Sequence, residues 1–212
     1  MHSPCCVHLE QLSLASNRSE ASVLDILHSS SFKQRPKFNI LDVSNNDLCL
    51  TDSDALAVIA KGVVEMCRVV TLDLSFNPLS DDGFFRFLSA VWPLSVPNHS
   101  LPLQNFILQN CELSNRSCDY IGELMLRGDM PDLQRLSLGM NNCQAVGIEK
   151  IMAAVCNNTV SLKSLLLPYN KLGNDGFMVI VNAVVIGGGF DKLEVYQCVL
   201  GELLIYMFRS WM

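Results

Sequence analysis

The chain is 212 residues long, 50% hydrophobic and 17% charged, with a formal net charge of −6. So much apolar material excludes an intrinsically disordered chain and allows a sizeable core. The acidic balance, with no cluster of Lys and Arg interleaved with aromatics, leaves nucleic acid outside the expected partners.

Residues 1–8 (MHSPCCVH) read as an N-terminal extension. No basic stretch followed by a long apolar run is present there, so no secretory leader is read and a cytoplasmic setting is expected. The nine cysteines are odd in number, include no C-x-x-C pair, and mostly stand where a small buried hydrophobe would serve. That pattern predicts reduced thiols rather than a disulfide framework.

From residue 9 onward one short unit recurs. Its first copy is Leu9-x-x-Leu12-x-Leu14-x-x-Asn17, and the spacing returns as Phe38, Leu41, Val43, Asn46 and as Val69, Leu72, Leu74, Asn77. Later copies read Leu103, Phe106, Leu108, Cys111, then Leu133, Leu136, Leu138, Asn141, then Leu162, Leu165, Leu167, Asn170, and finally Leu193, Tyr196, Cys198, Gly201. Their ninth positions are 29, 31, 34, 30, 29 and 31 residues apart, which leaves room for a strand, a turn and a helix in every unit. Positions 4 and 6 alternate along the strand and are expected in the core, while a ninth-position Asn can bond buried backbone where the strand turns away. Gly201 offers no such side chain, so the last copy is expected to be irregular.

Helices are expected near 20–28, 52–67, 115–127 and 144–156. In LSDDGFFRFLSAV, Ser80 and Asp81 can cap, while Phe84, Leu88 and Val91 share a stripe. In LGNDGFMVIVNAV, Asn174 or Asp175 can cap, with Phe177, Ile180 and Val184 facing inward. The longest interval holds WPLSVPNHSLPL, whose Pro93, Pro97 and Pro102 stop a helix and predict an inserted loop near 93–102. The apolar stretch VLGELLIYMFRSWM at the end is shorter than the roughly 20 residues that span a bilayer. No stable membrane insertion is expected, and residues 204–212 read as an apolar tail or a last helix cut short.

One strand and one helix per unit, wound in a constant sense, predict an α/β solenoid. It is a right-handed horseshoe over 9–203, with parallel strands on the concave face and helices on the convex face. The four histidines lack partners at metal-ligand spacing, Gly187-Gly188-Gly189 lacks a phosphate-cradling context, and no G-x-S-x-G elbow is present. No metal, cofactor or catalytic residue is expected, and the chain is read as a non-enzyme.

The alternating units LDLSFNPLSDDGFFRFL and FILQNCELSNRSCDYIGEL, including Cys111 and Cys118, resemble the Asn-type and Cys-type repeats of ribonuclease-inhibitor-like leucine-rich repeat proteins. The resemblance covers roughly 9–203 and implies a fold more than a function, because that family holds inhibitors, GTPase-activating proteins, immune-sensor domains and cytoskeletal adaptors. It implies two alternatives beside a binding module. One is a regulator of a small GTPase, with Arg18 at the early-repeat place of an essential arginine, although the acidic tail of such members is missing. The other is a fragment of a larger immune sensor or cytoskeletal adaptor, with cytoskeletal association to match.

Side chains at positions 3, 5, 7 and 8 of the frame are expected to project from the concave wall. The candidate partner-binding residues are Asp42, Asp73, Phe76, Gln109, Arg135, Met140, Leu166 and Tyr169, with Ser44 and Ser75 among their neighbours. A scaffold that binds a protein through this wall, with partner and oligomeric state open, is the expected function.

Overall fold

Leucines on alternate sides of a polar residue make each unit a short strand with one apolar face. The computed structural model describes residues 10–17, 39–48, 59–64, 69–93, 101–187 and 192–194. All seven copies supply a three-residue strand: β1 (Gln11–Ser13), β2 (Ile40–Asp42), β3 (Thr71–Asp73), β4 (Asn105–Ile107), β5 (Arg135–Ser137), β6 (Ser164–Leu166) and β7 (Lys192–Glu194). They form one parallel sheet in chain order. Helices α1 (Asp81–Val91), α2 (Asn115–Leu126), α3 (Ala145–Cys156) and α4 (Gly173–Gly187) connect the later strands. Residues 59–64 are helical, within the expected 52–67. The helix expected at 20–28, most of the inserted loop and the apolar tail lie outside the described residues.

Pairing register places Leu41, Leu72, Phe106, Leu136 and Leu165 in one column, every one of them fully buried. Position 6 adds Val43, Leu74, Leu108, Leu138 and Leu167, and the helices close the core with Phe84, Phe87, Leu88, Ile121, Leu124, Ile148 and Ile151. Each such side chain contributes about 1.5–3 kcal/mol relative to exposure, which is why the repeat holds this frame.

The register corrects the last copy. Leu165 pairs with Leu193, so Leu193 stands at position 4, not position 1. Counting on in that frame puts Cys198 rather than Gly201 in the ninth place, 28 residues after Asn170.

The ninth-position asparagines hold the loops. The Asn77 side-chain oxygen accepts from Asn46 N (2.9 Å) and Leu48 N (3.0 Å), and its amide donates to Val43, Leu74 and Ser75 carbonyls. Asn141 repeats the pattern with Cys111 N (3.0 Å) and Leu113 N (3.1 Å), donating to Leu108, Leu138 and Gly139. Asn46 and Asn170 do the same for the copies before them. At Cys111 the thiol reaches the Leu74 and Gln109 carbonyls at 3.4 Å. Burial pushes that thiol up to about 12, so it stays protonated, able to donate and poor as a nucleophile.

A second ladder joins the helix starts. Ser80 caps α1 by accepting from Gly83 N, whereas the Asp81 carboxylate crosses to the next unit. It accepts from Ser114 N (2.9 Å), the Ser117 hydroxyl (2.6 Å) and the Ser114 hydroxyl. One unit on, the Asn115 side-chain oxygen accepts from Gln144 N at 2.7 Å. Partial burial works to raise the Asp81 carboxyl, but the Ser114 and Ser117 bonds outweigh it and hold the group below its ordinary 3.8. A depressed folded value stabilises the fold above the ordinary carboxylate range and loses that contribution as pH falls through the folded value. Asp81→Ala is therefore expected to lower the urea midpoint at pH 7, and the gap to wild type should close on acidification below 3.8. A gap that is constant from pH 7 to pH 3, read by circular dichroism, would contradict this role.

Cys118 in α2 and Cys143 ahead of α3 are both buried and are brought side by side by the stacking of adjacent units, across a sequence separation of 25. Cys111 and Cys156 are free.

Candidate functional site

Helices cover one side of the sheet, so the side chains at positions 3 and 5 define the other. Asp42 closes β2, where its carboxylate accepts from the Ser13 hydroxyl (2.9 Å), Ser44 N (3.0 Å) and the Ser44 hydroxyl (2.7 Å). Asp73 holds the equivalent place on β3 and accepts from Ser75 N at 2.9 Å. Burial pushes the Asp73 carboxyl up, its bonds to Ser75 oppose that, and the neighbouring Asp42 charge adds to it. Among the described residues, no cation pairs with either acid. Further along, Ile107 and Leu166 are half-buried and Arg135 is exposed at the start of β5.

Position 8 forms a second row along the ends of the strands. Ser16, Asn45, Phe76, Asn110, Met140 and Tyr169 all adopt left-handed backbone, with φ between 51° and 62°. This conformation turns the chain out of the strand and projects the side chain outward. Phe76, Met140 and Tyr169 are 44%, 45% and 49% exposed. The left-handed region costs a residue with a β-carbon roughly 1–2 kcal/mol, and glycine is free of that cost. Phe76 and Met140 are thus held where glycine would sit with less strain.

Seven of the eight candidate residues thus lie on the strand wall or its rim; the eighth, Gln109, stands at position 7, where alternation overreached. Ser75 is buried, and its hydroxyl accepts from Gln109 N at 3.1 Å. Gln109 in turn donates its amide to the Ser137 hydroxyl at 3.0 Å. A Cβ on Gly139, at the same position, would approach the Pro168 ring at 3.0 Å. The strand ends after three residues, so position 7 tucks between units instead of continuing the outward alternation. One residue went unnoticed in the sequence: Ser164, level with Arg135 on β6, has a buried hydroxyl with no hydrogen-bond partner. Arg18, the counterpart of a GTPase-activating arginine, lies outside the described residues. Among the described residues no group of three or more His, Cys, Asp or Glu is placed to hold a metal ion. No helix among them is long and apolar enough to cross a membrane.

Residues 67–85 match the family model described as Leucine Rich repeat. The chain is 26% identical over 161 residues, 71% of its length, to the FERM domain-containing protein C of Dictyostelium discoideum. It is 31% identical over 104 residues, 49% of its length, to the NACHT, LRR and PYD domains-containing protein 9C of Mus musculus. The matched region is 10% of each of these relatives' own length. Repeat frame, strand register and asparagine ladder agree with that match, and the fold is that of a leucine-rich repeat α/β solenoid with strands on its concave wall and helices on its convex one.

Proposed function

We propose that this chain is a non-catalytic module that binds a protein through its concave wall and the adjoining row of position-8 side chains, in a solenoid of the ribonuclease-inhibitor-like kind. The observation that carries the reading is the trio Phe76, Met140 and Tyr169, large and exposed at one register position in left-handed backbone. Aromatic residues and Met are enriched where proteins meet, and a pre-ordered wall reduces the ordering cost of engagement. The cytoplasm belongs to the same proposal. Reduced Cys118 and Cys143 in alkylated protein taken from cells would support that compartment, and a persistent cross-link between them would oppose it.

Strain and function separate cleanly in the test. Phe76→Gly with Met140→Gly removes exposed side chains from strained backbone, so the melting midpoint is expected to stay level or rise slightly. Partner recovery by affinity capture from cell extract should fall by about tenfold or more, the loss of a single interface hot spot. Undiminished recovery by the folded double variant would refute the assignment of this surface.

A further inference from the structure

The wall is divided by charge across the strands. Its early part carries Asp42 and Asp73 at position 5 of β2 and β3, with no cation paired to them among the described residues. Its middle carries half-buried Ile107 at position 5 of β4, with Asn105 at position 3 turned to the Thr71 hydroxyl. Beyond that stands Arg135 at position 3 of β5, exposed and with no ion pair among the described residues. Among the wall positions of β2 to β6, the cationic step sits at Arg135.

Spacing turns this division into a specification. Neighbouring strands lie about 4.8 Å apart and positions 3 and 5 about 6.6 Å apart along a strand, so Asp73 and Asp42 stand about 12 and 16 Å from Arg135, on a line oblique to the strands. An extended segment crossing the strands rises about 3.3 Å per residue and turns alternate side chains to the same side, so residues i and i+4 stand about 13 Å apart with i+2 between them. We propose that the concave wall recognises an extended polypeptide segment carrying Lys or Arg, an apolar residue and Asp or Glu at alternate positions, read by Asp42 with Asp73, by Ile107 and by Arg135 respectively. The inference rests on the protein-binding reading of this wall and adds the chemistry of the occupant.

The acids are suited to a cation. Each carboxylate offers about four lone-pair sites; Asp73 accepts from Ser75 and Asp42 from Ser13 and Ser44, and each keeps capacity for a cation. A guanidinium or ammonium between the two acids relieves their mutual repulsion, and a carboxylate beside Arg135 gains a charge-assisted bond.

The probes are short random peptides displayed on phage and selected on the full chain, followed by fluorescence anisotropy with synthetic versions of those enriched. Enriched peptides should share the basic, apolar, acidic alternation, and scrambled versions of the same composition should bind about tenfold more weakly. Asp42→Lys with Asp73→Lys should abolish that preference and select peptides acidic at both ends, while Arg135→Glu should select peptides basic at both ends. Peptides that bind equally well when scrambled, or that ignore both charge reversals, overturn the specification. If those peptides still depend on Phe76 and Met140, the protein-binding reading survives alone. Failure to enrich any peptide on the wild-type wall over the Phe76→Gly, Met140→Gly variant overturns both.

Discussion

Asn141→Ala is expected to destabilise the fold by roughly 3 kcal/mol or more, since each buried polar group left unpaired costs about 1–3 kcal/mol. The alanine would strand Cys111 N and Leu113 N, which share the Asn141 side-chain oxygen in the interior, and would free three carbonyls that its amide now serves. No water-accessible substitute is at hand, because Cys111 and Leu113 are fully buried. Asn141→Asp separates the two halves of the role. It keeps the acceptor for both N–H groups but turns an oxygen toward the Leu108, Leu138 and Gly139 carbonyls. Its loss should be large at pH 7 and smaller at low pH, where a protonated acid can donate. Asn141→Cys should lose less than alanine, since Cys111 already fills the equivalent slot as a donor. Denaturant unfolding followed by circular dichroism ranks the three, and an alanine variant with a wild-type midpoint would remove the ladder from the account of stability.

Gly122→Ala is the second large effect, and there two principles oppose each other. An alanine in the middle of α2 gains about 1 kcal/mol of helix propensity over glycine. The added Cβ, however, would lie 2.5 Å from Lys150 Cβ, 2.7 Å from Ile151 N and 2.8 Å from the Lys150 carbonyl carbon. These atoms belong to the backbone and the first side-chain carbon of α3 and cannot swing away. Overpacking of this kind costs about 1–3 kcal/mol, so the net result is expected to be destabilising. The ion pairs that bridge α2 and α3 do not compensate. Lys150 meets Asp119 at 2.8 Å and Glu123 at 2.5 Å, and these bonds raise the lysine above its ordinary value, but they sit on the surface, where such pairs contribute little. A thermal midpoint raised by Gly122→Ala would show that α2 and α3 can part without cost.

Much of this was legible because the repeat writes its own geometry. Leucines at positions 4 and 6 and the ninth-position Asn fix strand, core and turn at once, and the Phe84, Leu88, Val91 stripe falls on the buried face of α1 as spacing requires. Where two frames fit equally, sequence could not decide. Leu193-x-x-Tyr196-x-Cys198 and Phe190-x-x-Leu193-x-Val195-x-x-Cys198 both satisfy the pattern, and only the pairing of Leu165 with Leu193 separates them. Alternation misplaced Ser75 because the strand is three residues long and the pattern stops with it. The juxtaposition of Cys118 and Cys143 and the crossing of Asp81 to Ser114 depend on the stacking of one unit on the next, which leaves no local mark in the chain. On the candidate surface, the frame named Phe76, Met140 and Tyr169, but the left-handed backbone that projects them was visible only in three dimensions.

The asparagine ladder also has a direction. Asn46 accepts from the coil upstream of it, Asn77 from that of Asn46, and Asn141 from that of Cys111, so the loop of each of these coils is held by a side chain supplied downstream. A polypeptide leaving the ribosome emerges in the opposite sense, earliest coil first. A coil followed by such an asparagine must therefore wait with unmet N–H donors until about 30 further residues have been synthesised, a lag set by the repeat period. Maturation of such coils is consequently vectorial, with a newly made asparagine completing the coil that preceded it as well as bonding the carbonyls of its own.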